Sequence, residues 1–150
     1  MTSPKPIWFY QQSGVIPFRW ENGEIKVLLI TSRGSKRWIF PKGIIDDGLS
    51  PAGSAAQEAY EEAGIKGKIY SEPIGEYRYD KWGGTCHVQV FMMAVEKELD
   101  TWPESAFRSR KWVTADEAEG LVKEAELKIL LRNLPAIINK VTPPGFFERP

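Results

Sequence analysis

Residues 41–65 read PKGIIDDGLSPAGSAAQEAYEEAGI, a glycine-framed loop running into a segment that carries Glu58, Glu61 and Glu62. Ser50-Pro51 predicts a helix start, a hydroxyl N-cap followed by a proline whose missing N–H costs nothing there. Gly64 is placed to end the helix in a left-handed conformation. Between these stops, the three glutamates stand at i, i+3 and i+4, neighbours on one helix surface. Like charges so placed repel, so either a divalent cation neutralises them or they form a solvated face. On the other side Ala52, Ala56, Ala59 and Ala63 make a smooth strip that lets the helix lie close against a sheet.

This stretch resembles the Nudix box: Gly, five residues, Glu, seven residues, Arg-Glu, an apolar residue, any residue, Glu-Glu, any residue, Gly, apolar. Gly43, Glu58, Ala59, Glu61, Glu62, Gly64 and Ile65 fall on the pattern, while Leu49 stands at the first Glu position and Gln57 at the Arg position. In the family those two form an ion pair that braces the loop on the helix. Losing one partner of a buried pair costs about 3 to 5 kcal/mol, whereas replacing both can be nearly neutral. The joint change therefore reads as one brace exchanged for another, with Leu49 packing where the pair stood. The other reading is a decayed box that binds without turnover.

The resemblance implies a Nudix hydrolase that cleaves phosphoanhydride bonds. It implies Glu58 and Glu62 as principal metal ligands, Glu61 as ligand or base, the Gly43 carbonyl as a further ligand, and catalytic roles for Glu61 and Glu62. Oxygen-only ligands favour Mg²⁺, with Mn²⁺ as a substitute, over zinc. Trp102-Pro103-Glu104 and Arg110-Lys111-Trp112 are similar to stretches of the diphosphoinositol polyphosphate phosphohydrolase group, whose members also cleave diadenosine polyphosphates. Hydrolases of nucleoside triphosphates or of RNA 5′ ends share parts of the same pattern.

The charges around the box are segregated. Lys26, Arg33, Lys36, Arg37 and Lys42 lie between Ile25 and Ile45 with no acidic residue, and Asp46 to Glu62 holds five acidic residues with no basic one. A basic rim beside a carboxylate helix suits a polyphosphate, since planar guanidinium grips phosphate through two parallel bonds. Arg19, Arg33, Arg37 and Lys42 are the candidate phosphate-binding residues, and Lys26 reads as a solvent-facing residue. Over the whole chain 20 Lys and Arg balance 20 Asp and Glu, which argues against nucleic-acid binding through bulk charge. One cysteine and one histidine rule out a disulfide within the chain, a Cys-rich zinc site and a multi-histidine centre. No apolar run approaches the roughly 18 residues a membrane span needs, and the start lacks an apolar signal core, so the cytoplasm is the expected compartment.

Apolar runs over 11–18 and 26–32 flank Asn22-Gly23, a hairpin signal. Trp38-Ile39-Phe40 reads as a short strand, residues 66–79 and 84–95 as two long strands about a turn at Trp82, and Lys111-Trp112-Val113 as another strand. Trp82 reads either as a base-stacking lid or as an exposed loop aromatic. Thr114 with Glu117 is a capping-box signature for helical sequence running to Leu134, with Gly120 and Pro135 as interruptions or bounds. Helices there would cover the sheet face opposite the box helix. The expected fold is α/β (α+β): a Nudix-type α/β/α sandwich with a mixed β-sheet, one domain over 1–140 and a Pro-rich tail over 141–150 carrying Phe146 and Phe147.

Overall fold

The computed structural model describes residues 9–141; the tail phenylalanines lie outside them. Twelve elements follow in order: β1 (Phe9–Glu21), β2 (Glu24–Thr31), β3 (Trp38–Ile39), β4 (Lys42–Ile44), α1 (Pro51–Ala63), β5 (Ile65–Ile69), β6 (Gly75–Lys81), β7 (Gly84–Glu98), β8 (Arg110–Thr114), α2 (Ala115–Leu121), α3 (Ala125–Arg132) and α4 (Leu134–Val141). The two longest strands, β1 and β7, pair in parallel at the centre of the sheet. Every other pairing is antiparallel, so the sheet is mixed.

Each long central strand serves two partners along its length. One end of β1 pairs with β4 and the other with β2, while β7 pairs with β6 near its start and β5 near its end. The sheet thus splays into a cleft where β4 and β6 flank the β1–β7 seam. Adjacent residues of these strands fall into different cores, as the period of two requires. Val15, Leu28, Ile30, Phe91 and Met93 pack against α1, and Ile16, Val27, Leu29, Met92 and Val90 pack against α2, α3 and α4. That is the expected sandwich.

Two local expectations change. The run 66–79 is two strands, β5 and β6, broken between them around Pro73, because each pairs with a different stretch of β7. The helical sequence after Thr114 is three short helices. The Thr114–Glu117 capping box opens α2, which ends just past Gly120, and Pro135 sits in the first turn of α4, where a proline is tolerated, instead of bounding a helix.

Candidate functional site: a carboxylate helix facing a cationic cleft

Helix α1 is pinned as its sequence dictates. The Ser50 hydroxyl accepts from the Gly53 N–H at 2.9 Å, and Gly64 ends the helix at φ 66°. Ala52, Ala55, Ala59 and Ala63 are buried against the sheet, with Ala56 at the margin. The C-terminal end is further clamped by the loop after β7 and the first residue of β8. Trp102 Nε1 donates to the Glu62 carbonyl at 2.9 Å and Arg110 Nη1 to the Ala63 carbonyl at 2.7 Å, with the Arg110 guanidinium stacked on Trp102. A cation on the last carbonyls of a helix satisfies orphan acceptors and complements the dipole. The Trp-Pro-Glu and Arg-Lys-Trp stretches singled out in the sequence are therefore the brace of the box helix.

A cleft of about 620 Å³ opens beside α1, between β4, β6 and the loop after β2. Glu58, Glu62 and Asp46 line one side, and Arg33, Arg37, Lys42, Lys81 and Arg108 supply the cations. The Glu62 side chain is held by Lys42 N–H on Oε1 at 3.0 Å and by Arg108 Nη2 on Oε2 at 3.1 Å. Burial pushes the Glu62 carboxyl up to about 7, against the pull of Arg108 and Lys42. Glu58 goes further, to about 8, first through burial and then through repulsion from Glu62, Glu61, Asp46 and Glu104. Burial likewise lowers the Lys42 ammonium, although Glu62 opposes it. One guanidinium nitrogen, Arg37 Nη1, is buried with no hydrogen-bond acceptor, while Nη2 pairs with Glu124 at 3.2 Å.

The sequence-derived candidates separate here. Gly43, Glu58, Glu62, Arg33, Arg37 and Lys42 meet in the cleft. Arg19 does not: its guanidinium lies 4.0 Å from the Trp112 ring centroid and pairs with Glu21 and Glu98, at the far end of β1 from β4. Lys26 sits outside it as well, paired in register with Arg19 and Thr114. Glu61 is turned along the helix, its Oε1 accepting from Gln57 Nε2 at 2.8 Å. Leu49 is exposed, at 39%, and so packs into no brace. The loop is tied to the helix by the Asp46 N–H, which donates to Ser54 Oγ at 3.2 Å. Arg108, with a side chain only 7% exposed, joins Glu62 to Glu104 and donates to the Thr31 carbonyl at 3.0 Å. Arg108 and Lys81 were missed because no local motif marks them; only the chain path brings them to the box. A second cavity, about 520 Å³ between Tyr70, Ile74 and Ile137, contains none of the box residues.

A family model for the NUDIX domain matches residues 11–134. The chain belongs to the Nudix hydrolase family. It is 36% identical over 124 residues to Nudix hydrolase 16, mitochondrial, of Arabidopsis thaliana, covering 71% of this chain and 68% of that protein. It is 31% identical over 115 residues to mouse diphosphoinositol polyphosphate phosphohydrolase 3-alpha, covering 75% and 69%. Its fold is similar to that of a C. elegans Ap4A hydrolase in a binary complex, with a TM-score of 0.70 at 23% identity, covering 87% of this chain and 98% of that one. Some relatives carry mitochondrial or chloroplastic in their names, so the family does not assign the cytoplasm to this Nudix hydrolase. Among the described residues no helix is long and apolar enough to cross a membrane.

Nudix hydrolases generally use divalent metal ions, and the cleft suits one. A Cβ on Gly43 would lie 2.2 Å from Glu58 Oε1, so the missing side chain makes the cradle in which that carboxylate rests. The donors are all oxygen, the set hard cations prefer. Crowded carboxylates with raised proton affinity are in the state a bound cation relieves. Among the described residues no three acidic, histidine or cysteine side chains converge on one point. Glu58 and Glu62, with the Gly43 backbone beside them, are the residues that would hold the ion.

Proposed function

We propose that this Nudix hydrolase is a Mg²⁺-dependent pyrophosphohydrolase that cleaves a phosphoanhydride bond in a polyphosphorylated small molecule, a diadenosine polyphosphate or a diphosphoinositol polyphosphate. The observation that carries the reading is one cleft lined by the buried Glu62 and the half-buried Glu58 of the box and by five cations, of which Arg108 is paired to Glu62 and Arg37 to Glu124. A divalent cation held by Glu58 and Glu62 supplies charge neutralisation for the phosphate oxygens. Arg33, Arg37, Lys42 and Lys81 take the remaining phosphate charge, and a phosphate oxygen satisfies the orphaned Arg37 Nη1, whose lack of an acceptor costs free energy in the ligand-free state. Glu58, whose carboxyl is raised by burial and by its acidic neighbours in the metal-free cleft, is a group whose charge the cation would offset. Glu61, bonded to Gln57, acts by holding the helix face and contributes repulsion that favours a cation.

The test is product analysis by ion-exchange chromatography with Mg²⁺ or Mn²⁺ over a dinucleoside tetraphosphate, a diphosphoinositol polyphosphate, a nucleoside triphosphate, an RNA 5′-triphosphate end and a nucleotide sugar. Turnover should rise with the number of consecutive phosphates and should fall at least about tenfold in Glu62→Gln, because amides are poor ligands for hard cations. Glu61→Gln should be milder than Glu58→Gln or Glu62→Gln. Unchanged hydrolysis in the triple variant would place the chemistry elsewhere, and an inactive wild type would make the chain a binding module.

A further inference from the structure

The chain contains two hairpins with the same two-residue turn, filled differently. Glu21 pairs with Glu24 across Asn22-Gly23, whose φ angles are 51° and 79°. Lys81 pairs with Gly84 across Trp82-Gly83, at 55° and 70°. Both turns need two left-handed residues, the geometry for which Asn-Gly is the favoured pair. The first hairpin has it. The second spends the same position on tryptophan, a bulky residue for which a positive φ is an outlier.

Packing does not explain the choice, since Trp82 remains 51% exposed. It is nevertheless held in place. The Tyr10 ring meets it edge-on at 5.2 Å and 78°, the Tyr10 hydroxyl donates to the Trp82 carbonyl at 3.3 Å, and the Lys81 ammonium lies 4.6 Å from the ring centroid. Asp80, Lys81 and Trp82 line the same cleft as Glu58 and Glu62. A strained, positioned and open aromatic lining a cleft that holds both carboxylates and cations has the form of a binding surface.

We infer that Trp82 is a stacking platform for the planar heteroaromatic base of the ligand, which makes the substrate a nucleoside polyphosphate and not an inositol one. The inference rests on the polyphosphate reading of the cleft and narrows it. An inositol ring offers no π face, whereas every nucleobase does, and an indole recognises bases without regard to sequence. The cations grip the phosphates, and the indole selects what is attached to them.

The test is calorimetric binding to the full chain in EDTA, with adenosine 5′-tetraphosphate and inorganic tetraphosphate as probes, for wild type, Trp82→Phe, Trp82→Ala and Trp82→Asn. Wild type should bind the nucleotide about tenfold or more tightly than the inorganic chain. Ala and Asn should abolish that preference while changing inorganic tetraphosphate affinity by less than about twofold, and Phe should retain most of it. Trp82→Asn restores the residue the turn favours, so its melting temperature should equal or exceed that of wild type, separating lost binding from lost folding. Equal wild-type affinity for the two probes, an equal loss of both in Trp82→Asn, or no binding of either overturns the platform. If hydrolysis is absent but the base preference and its loss in Trp82→Asn remain, the catalytic reading falls and the platform stands. Hydrolysis of a dinucleoside tetraphosphate with an unchanged KM in Trp82→Asn sinks the platform alone.

Discussion

Arg108→Met removes the guanidinium that ties Glu62 to Glu104 and to the Thr31 carbonyl. Both members of the Arg108–Glu62 pair are nearly closed to solvent, at 7% and 10% side-chain exposure. Taking one partner from such a pair costs about 3 to 5 kcal/mol because the other charge is left buried. Glu62 has an escape, since its carboxyl already sits at about 7 and Arg108 is the strongest influence holding it down. In the variant it moves higher and takes up a proton. The folded state then binds more protons than the unfolded chain over a window that begins at the ordinary carboxylate value and extends above 7, so stability falls as pH rises through that window.

The cost of the substitution should therefore depend on pH. Near pH 5 Glu62 is neutral with or without Arg108, and only the contacts to Thr31 and Glu104 are lost, worth about 1 to 2 kcal/mol. Above about pH 8 the full penalty of about 3 to 5 kcal/mol appears, or about 10 °C in melting temperature for a chain of this size. Urea unfolding of both proteins across this range measures the difference directly. Adding Glu62→Gln to Arg108→Met should recover part of it, with a coupling of about 0.5 to 3 kcal/mol. A loss under about 1 kcal/mol at high pH, or one that does not vary with pH, would refute the assignment of Arg108 as the buried partner of Glu62.

Gly43→Ala would put a methyl group 2.2 Å from Glu58 Oε1; because the obstacle is the end of a flexible side chain, stability should change by less than about 2 kcal/mol while hydrolysis drops about tenfold or more, read by melting and chromatographic product analysis on one preparation. Metal-free protein should lose stability as pH rises from the usual carboxylate range through about 7 and 8, the positions of Glu62 and Glu58. Added Mg²⁺ should raise the melting temperature more near pH 8.5 than near pH 6, since protons compete with it at the lower pH. A Mg²⁺ shift that is larger at low pH would contradict that order.

Much of the site was readable as local pattern. The caps at Ser50 and Gly64, the i, i+3, i+4 spacing of the glutamates and the alanine strip all act within one helix, and the structure realises each. The Asn22-Gly23 turn is equally local. Expectations failed where partners are distant. Leu49 was expected to replace a lost ion pair by packing, yet it is exposed, and the ion pair that Glu62 does make is with Arg108, in a loop that reaches the box only because β7 and β8 carry it there. Arg19 belongs by charge to the phosphate binders, but β1 is long enough for its two ends to serve different partners, and Arg19 lies at the end paired with β2.

Spacing along the chain thus determined the helix, its carboxylate face, the hairpins and the family, because hydrogen bonds and side-chain neighbours within a few residues are dictated by backbone period. Which glutamates face the cleft, which cations surround them, and how deeply each is buried were decided by the splayed sheet. Proton affinity and ion pairing depend on distances between elements and on the exclusion of water, and neither exists until β4, β6 and the loop before β8 close around the box helix.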